Sequence, residues 1–169
     1  MTTKYFLIGL PGCGKSTLGK QLAIYLKIPF IDLDAEIEKS VNLPVRDIFK
    51  KYGENFFRQQ EAEVLTAWAE SSGEFVMATG GGAPVFFNNM KTMNRHGRTF
   101  FLDVPTRDIT NRILNSNKEE RPLFASLAPD ELKDKIEFLR SHRIPFYNQA
   151  HTTLTGVIQL ADLIEAIKS

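Results

Sequence analysis

The sequence predicts an α/β fold, a three-layer sandwich in which helices cover both faces of a five-stranded parallel sheet. Five short apolar, β-prone runs alternate with longer segments of helical periodicity, and no repeat, linker or low-complexity tract interrupts them. Strands that alternate with helices are joined by right-handed crossovers, which makes the sheet parallel. The chain has 169 residues, of which 43% are hydrophobic. This size and composition suit a single globular domain with a substantial core.

The individual elements follow from the same patterns. The predicted strands are Tyr5–Ile8, Pro29–Leu33, Phe75–Thr79, Thr99–Val104 and Thr152–Thr155. The helices with the clearest apolar periodicity are Thr17–Lys27, Gln59–Ser71, Asp130–Arg143 and Gln159–Lys168. Each helix lies between two strands or after the last one, as a parallel sheet requires.

Two stretches exceed what simple crossovers need. More than forty residues separate the second predicted strand from the third. The excess predicts a small helical subdomain over the site, at about residues 33–61. A second stretch, about residues 112–128, includes a polar segment without clear periodicity. We expect a mobile lid there, and an ordinary surface loop is the alternative.

Composition narrows the class of protein further. The formal net charge of +1 favours neither a nucleic-acid partner nor a membrane surface. The single cysteine, Cys13, fits a reducing compartment, and no N-terminal signal peptide or membrane-length apolar run is seen. His96, His142 and His151 lack metal-ligand spacing. We therefore expect a cytoplasmic protein, a monomer with small-molecule partners.

The first strand runs directly into a phosphate-binding motif. Residues Gly9–Ser16 read G-x-x-x-x-G-K-S without a mismatch, and a predicted helix follows. Glycine tolerates the backbone angles that turn successive N–H groups inward, and the helix adds its own free N–H groups. In such a loop Lys15 reaches the β- and γ-phosphates, and the Ser16 hydroxyl binds Mg²⁺. The motif predicts binding of nucleotide phosphates.

Two further motifs stand at the carboxyl ends of strands, where ligands of such sheets bind. Asp32 and Asp34 end the second strand, and spacing of two puts both carboxylates on one face. One can serve Mg²⁺ and the other a substrate hydroxyl, or Asp34 is a helix N-cap. The triplet Gly80–Gly82 ends the third strand, with Pro84 starting the next helix. It indicates close approach of backbone N–H groups to a ligand, with a flexible turn as the alternative.

Three arginines are candidates for an anionic substrate. They are Arg58, Arg121 in the predicted lid, and Arg143. A guanidinium group binds a carboxylate or phosphate through two parallel hydrogen bonds. The alternative for an arginine on a helix is that it lies on the solvent-exposed face and binds no ligand.

Taken in order, these motifs resemble those of the shikimate kinase family, in the nucleoside-monophosphate-kinase-like branch of P-loop proteins. The resemblance covers nearly the whole chain. It rests on Gly9–Thr17, Asp32-x-Asp34, Phe57-Arg58, Gly80–Gly82, Arg121-Pro122-Leu123 and Arg143-x-x-Phe-Tyr147. It implies the P-loop NTPase fold of the nucleoside monophosphate kinase type. It also implies transfer of the γ-phosphoryl group of ATP to the 3-hydroxyl of shikimate, a step of aromatic amino acid biosynthesis.

The resemblance assigns residue roles. Shikimate would be bound by Asp34, Arg58, Gly80, Gly81, Gly82 and Arg143, the arginines holding its carboxylate. ATP would be bound by Gly12, Cys13, Gly14, Lys15, Ser16, Thr17, Arg112 and Arg121. Lys15, Asp34 and Arg121 would be catalytic, and Ser16 with Asp32 would organise Mg²⁺. The helical subdomain would bind the substrate, and adenine would rest near Arg112 and the turn after Thr155, which is shorter than is common in the family.

Two other functions compete with this one. Gluconate kinase shares the phosphate loop but should lack the set of Arg58, the triple glycine and Arg143. A GTPase-type switch is the second alternative, because Asn117-Lys118-Glu119-Glu120 partly matches its Asn-Lys-x-Asp motif. The fourth residue differs, however, and no strand precedes the tetrapeptide. Shikimate phosphorylation remains the function that the motifs favour.

Overall fold

The computed structural model describes residues 3–116, 124 and 126–169. Its strands form one sheet in the order β2-β3-β1-β4-β5, and every neighbouring pair is parallel. The strands are Lys4–Ile8 (β1), Phe30–Asp32 (β2), Phe75–Ala78 (β3), Arg98–Asp103 (β4) and Thr152–Thr155 (β5). The five-stranded parallel sheet predicted from the sequence is confirmed.

Seven α-helices of the described residues connect and cover the strands. They are Lys15–Leu26 (α1), Leu33–Val41 (α2), Val45–Glu70 (α3), Asn89–His96 (α4), Thr106–Asn115 (α5), Pro129–Tyr147 (α6) and Leu160–Lys168 (α7). Every residue of β1 and β3 is buried, so helices cover both faces at the centre of the sheet. None of the described helices combines the length and apolar character of a membrane span.

The core lies along the central strands. Phe6, Leu7 and Ile8 of β1 are fully enclosed, and Phe100 of β4 is equally buried. The register pairs Leu7 with Ala78 of β3, so β1 and β3 end at the same level. The loops that follow them, the phosphate motif and the triple glycine, therefore lie side by side at one edge of the sheet.

The second strand ends earlier than its sequence suggests. β2 stops at Asp32, whose side chain accepts a hydrogen bond from the Ala35 N–H at 3.3 Å and caps α2. The N-cap is thus Asp32, and the alternative that placed it at Asp34 is wrong. Asp34 lies in the first turn of α2, so strand alternation does not put it on one face with Asp32.

Two helix boundaries also differ from the prediction. α3 begins at Val45, well before Gln59, and kinks at Gly53, where φ is 82°. The polar residues of its first half hide its continuity with the second. Pro84 does not start the next α-helix: it lies in a short 3₁₀ turn, Ala83–Val85, and α4 begins at Asn89. Of the predicted lid, 117–123 and 125 lie outside the described residues.

Candidate active site

The phosphate loop adopts the backbone that its glycines allow. Gly9, Gly12 and Gly14 have φ of 146°, 84° and 98°, in the region that side chains disfavour. Gly14 is the N-cap of α1 and has no side chain to bond the first N–H groups of the helix. These groups are open to a phosphate, and the positive end of the helix dipole adds to the attraction.

Lys15 is the first residue of α1 and curls back over the loop. Its ammonium donates to the carbonyl oxygens of Gly9 at 2.8 Å and Leu10 at 2.9 Å, and the side chain is buried. Cys13 packs beneath it: a Cβ on Gly9 would lie 2.8 Å from the Cys13 Sγ. Cys13 is therefore a small filler of the loop, as its position suggests.

A candidate magnesium site lies at the start of α1. The Ser16 Oγ is 3.4 Å from Oδ2 of Asp32, whose Oδ1 is engaged by the Ala35 N–H. Among the described residues no group of three or more metal-ligating side chains exists. Two hard oxygen donors nevertheless fit Mg²⁺, which keeps several waters and completes its shell with substrate phosphates. The donor set of Ser16 and Asp32 thus matches the metal that the motif implies.

Arg112 reaches this loop from α5. Its guanidinium donates to the carbonyl of Gly12 at 3.5 Å across one hundred residues of sequence. A Cβ on Gly14 would lie 3.5 Å from the same guanidinium. Arg112 is therefore beside the phosphate loop, on the side from which α5 approaches, while Thr17 is exposed at the start of α1.

Asp34 lies beside the part of the site that Arg58 and the glycine triplet form. Burial raises the pKa of its carboxyl to about 6, and the negative charge of Asp32 adds to the rise, against the opposing pull of Lys15 and Arg58. A Cβ on Gly80 would lie 3.3 Å from the Asp34 Oδ1. The carboxylate is thus held over the end of β3, between the phosphate loop and the arginines.

The three consecutive glycines make room for charged side chains. A Cβ on Gly80 would be 3.3 Å from Asp34 Oδ1 and 3.4 Å from Glu61 Oε1. On Gly81 it would be 2.9 Å from the Arg143 guanidinium, and on Gly82 2.5 Å from that of Arg58. None of the three has a positive φ. The absence of side chains at these three positions therefore leaves room for Asp34, Arg143 and Arg58, which accounts for the triplet better than a flexible turn does.

Arg58 lies on α3 with its guanidinium against Gly82. It donates to Glu61 Oε2 at 2.8 Å and approaches Glu54 at 3.4 Å, with 11% of its side chain exposed. Glu61 is fully buried, and burial raises its carboxyl pKa to about 7 although Arg58 opposes the shift. Its Oε1 has no hydrogen-bond partner among the described residues. A buried polar atom left without a partner at this position indicates a place for a ligand or water.

Arg143, on α6, approaches the same triplet at Gly81. One of its terminal nitrogens is buried and has no hydrogen-bond partner within the part of the chain that the structure describes. Tyr147, one helical turn later, donates its hydroxyl to the Gly81 carbonyl at 2.6 Å, and burial raises its pKa so that it stays protonated. This hydrogen bond holds α6 against the glycine triplet and so helps to position Arg143, which lies on the same helix.

Gly81 is where the two halves of the site touch. A Cβ there would be 2.7 Å from Pro11 of the phosphate loop and 2.9 Å from Arg143. Arg121, which the sequence assigns to both the lid and ATP, lies outside the described residues. The structure thus brings together the phosphate loop, Asp34, Arg58, the triplet and Arg143.

Sequence reasoning missed two residues of the site. Glu61 follows Arg58 by three positions and Tyr147 follows Arg143 by four, which places each pair on one helix face. This spacing was the available signal. Glu61 belongs to no motif, and Tyr147 ends the Arg143-x-x-Phe-Tyr147 motif but receives no role from it.

Comparison with known proteins identifies relatives along almost the whole chain. The shikimate kinase family model matches residues 11–164. A shikimate kinase of Bacteroides fragilis is 46% identical over 148 residues, which cover 88% of this chain and 82% of that protein. The crystal structure of shikimate kinase from Bacteroides thetaiotaomicron aligns with a TM-score of 0.92 at 37% identity and covers 99% of both chains. The structure of shikimate kinase from Acinetobacter baumannii in complex with shikimate aligns with a TM-score of 0.86 at 31% identity. The alignment covers 99% of this chain and 92% of that one.

Proposed function

This chain belongs to the shikimate kinase family, and we infer that its site transfers the γ-phosphoryl group of ATP to the 3-hydroxyl of shikimate. Members of this family are ATP-dependent phosphotransferases that act on an alcohol group, in agreement with the function predicted from the sequence. One observation carries the inference within this structure. The phosphate loop and Arg143 meet at Gly81, so a phosphoryl donor and a small anionic acceptor can lie next to each other.

The nucleotide half of the site supplies charge and alignment. The N–H groups of the loop and of α1 surround the phosphates, and Lys15 leaves the carbonyls of Gly9 and Leu10 to reach the β- and γ-oxygens. Ser16 and Asp32 would hold Mg²⁺, which when bound neutralises charge on these oxygens. Phosphoryl transfer depends mainly on such positioning and charge compensation.

The acceptor half recognises a carboxylate and a set of hydroxyls. Arg58 and the unmatched nitrogen of Arg143 provide donors for the shikimate carboxylate. Asp34 accepts a hydrogen bond from the attacking hydroxyl. With a pKa near 6 it is largely ionised at neutral pH and able to take the proton. The acceptor oxygen bonds to phosphorus as the bond to the ADP oxygen breaks.

The remaining assignments extend this proposal. Residues 33–61 act as the substrate-binding subdomain, because α2 brings Asp34 and α3 brings Arg58 to the glycine triplet. Residues 112–128 act as the lid, with Arg121 closing on the transferring phosphoryl group. Adenine rests near Arg112, which already contacts the phosphate loop. It stays a prediction that the protein is a cytoplasmic monomer and that it binds neither nucleic acid nor a membrane.

A substrate panel tests the function. We expect the purified protein to release ADP with ATP, Mg²⁺ and shikimate, and to show almost no turnover with gluconate or AMP. Comparison of ATP with GTP in the same assay tests the switch alternative. Equal or greater turnover with gluconate or AMP would contradict the proposal.

A further inference from the structure

We propose that Phe86 is a positioning residue for Arg58 and thereby sets the affinity of the site for the substrate carboxylate. The proposal rests on the function inferred above, because it concerns how Arg58 meets that carboxylate. It starts from the stacking of the Phe86 ring on the Arg58 guanidinium, with 4.5 Å between the Cζ atom and the ring centroid.

The guanidinium of Arg58 is held from several directions. Phe86 covers one side, and the Phe57 ring lies 5.2 Å from the same Cζ atom. Glu61 binds one terminal nitrogen at 2.8 Å, while Glu54, which is largely exposed, remains at 3.4 Å. An aromatic face orients a guanidinium in its plane and leaves the N–H groups at its edge free to donate. The ring therefore fixes the plane in which Arg58 presents its donors.

The turn that carries Phe86 is unusual in its backbone. Phe87 and Asn88 have φ of 49° and 58°, and the Phe86 carbonyl accepts the Asn89 N–H at 2.9 Å. Two successive positive φ values with this bond are typical of a type I′ turn, which favours asparagine and glycine at its centre. A bulky residue such as Phe87 rarely adopts this conformation.

Burial of Phe87 does not account for this turn, since 57% of the residue's surface is exposed. The buried Asn89 holds the turn instead, by donating from Nδ2 to the Ala83 carbonyl at 2.9 Å. Strained backbone persists where the surrounding structure requires it, and such places cluster at ligand sites. In this case the turn keeps the Phe86 ring beside Arg58 directly after the glycine triplet.

Aromatic character, as well as bulk, is therefore expected to matter at this position. Phe86→Leu keeps an apolar side chain but removes the ring face, so Arg58 loses its fixed plane. We expect the KM for shikimate to rise about 3- to 30-fold, the range that corresponds to a cation–π contact, while the KM for ATP stays unchanged. Phe86→Tyr retains the ring and should restore a KM close to that of the unmodified protein.

Phe87→Leu is the matched control, because it makes the same change one residue away on an exposed side chain. It should leave both KM values as they are. A purely structural role for Phe86 would instead lower the melting temperature and change both KM values together. If Phe86→Leu impairs folding, Phe86→Met provides a second non-aromatic variant of similar size.

A double-mutant cycle separates this proposal from the function on which it rests. In an Arg58→Ala background, Phe86→Leu should cause no further loss of shikimate binding in calorimetry. If Arg58→Ala itself leaves shikimate binding intact, the carboxylate role of Arg58 fails, and the proposal for Phe86 fails with it. If Arg58→Ala weakens binding but Phe86→Leu does not, or if the two effects simply add, only the role of Phe86 is overturned.

Discussion

The two halves of the site are held together in different ways. The phosphate loop is one continuous segment, Gly9–Ser16, and Lys15 finds its hydrogen-bond partners inside that segment. The acceptor pocket draws on α2, α3, the glycine triplet and α6, and it leaves Glu61 Oε1 and one Arg143 nitrogen without partners among the described residues.

This difference bears on what each half contributes. The backbone of the loop already has its curled form, so its N–H groups are available to any nucleotide phosphate, and only the Lys15 ammonium has to leave its carbonyl partners. The acceptor pocket carries two buried polar atoms, Glu61 Oε1 and one Arg143 nitrogen, that a matching ligand can pair with. A substrate that fails to meet them leaves a desolvated group unpaired, which strongly disfavours the wrong acceptor. The loop thus contributes mainly to rate, and the pocket contributes selectivity together with the carboxylate of Asp34.

The largest effect is expected in the loop. Lys15→Ala removes the ammonium that stabilises charge between the β- and γ-phosphates, so kcat should fall about 10²–10³-fold. Lys20→Ala, on the exposed side of the same helix, is the control and should keep full turnover. Circular dichroism establishes that both proteins fold. Near-normal kcat in folded Lys15→Ala protein would show that the loop lysine does not stabilise the transferring phosphoryl group.

Asp34 and Asp32 test whether neighbouring carboxylates divide their work between the two halves. Asp34→Asn should lower kcat by about 10²-fold, because a loose phosphoryl-transfer transition state needs little help from a base, and it should weaken shikimate binding. Asp32→Asn should mainly raise the Mg²⁺ concentration needed for half-maximal turnover. Magnesium titrations of both variants, with shikimate saturating, provide the measurement. Unchanged turnover and shikimate affinity in Asp34→Asn would contradict the assignment.

The arginines test the selectivity of the pocket. Truncating one partner of a buried charge pair costs about 2–5 kcal/mol, and lysine lacks the planar two-donor fork. Arg58→Lys and Arg143→Lys should therefore weaken shikimate binding at least about tenfold and leave ATP binding nearly unchanged. Separate calorimetric titrations of the two ligands decide the matter. Selective loss of ATP affinity would assign these arginines to the other half.

Glycine substitutions test whether the triplet serves as space for the arginines. Gly82→Ala places a Cβ 2.5 Å from the Arg58 guanidinium, which must shift from its present position. We expect the KM for shikimate to rise several-fold to about tenfold, by loss of an oriented charge-assisted bond. Gly73→Ala is the matched control, since its Cβ meets nothing within 4 Å. Equal KM values in the two variants would refute a spatial role for Gly82.

The smallest effect concerns stability and pH. Glu61 has a folded pKa of about 7, above its unfolded value of 4.5, so the folded state binds more protons between these values. The stabilisation is fully present below about pH 4.5 and is lost as pH rises to about 7. Glu61→Gln cannot titrate and should show a flatter profile in urea unfolding at about pH 5 and about pH 7.5. Parallel profiles for the two proteins would show that Glu61 is already ionised at the lower pH.

Local signals predicted the sheet and the phosphate loop because their patterns are contiguous. β5 matches its predicted bounds, Thr152–Thr155, and the motif Gly9–Ser16 forms the expected loop up to Gly14 and then begins α1. The prediction that strand alternation puts Asp32 and Asp34 on one face is wrong, because Asp32 caps α2 and the strand ends there. Periodicity also missed the first half of α3, where polar residues and the kink at Gly53 interrupt the apolar pattern.

The sequence by itself determined the order of strands and helices, the phosphate loop, and the family to which the chain belongs. These features depend on neighbouring residues, on hydrophobic periodicity and on the backbone freedom of glycine. Only the tertiary structure decided that Glu61 would be fully buried beneath Arg58, and that Arg143 would reach Gly81 beside Pro11. Burial and contact between distant segments arise when helices pack on the sheet, and no local pattern specifies which side chains then share one pocket.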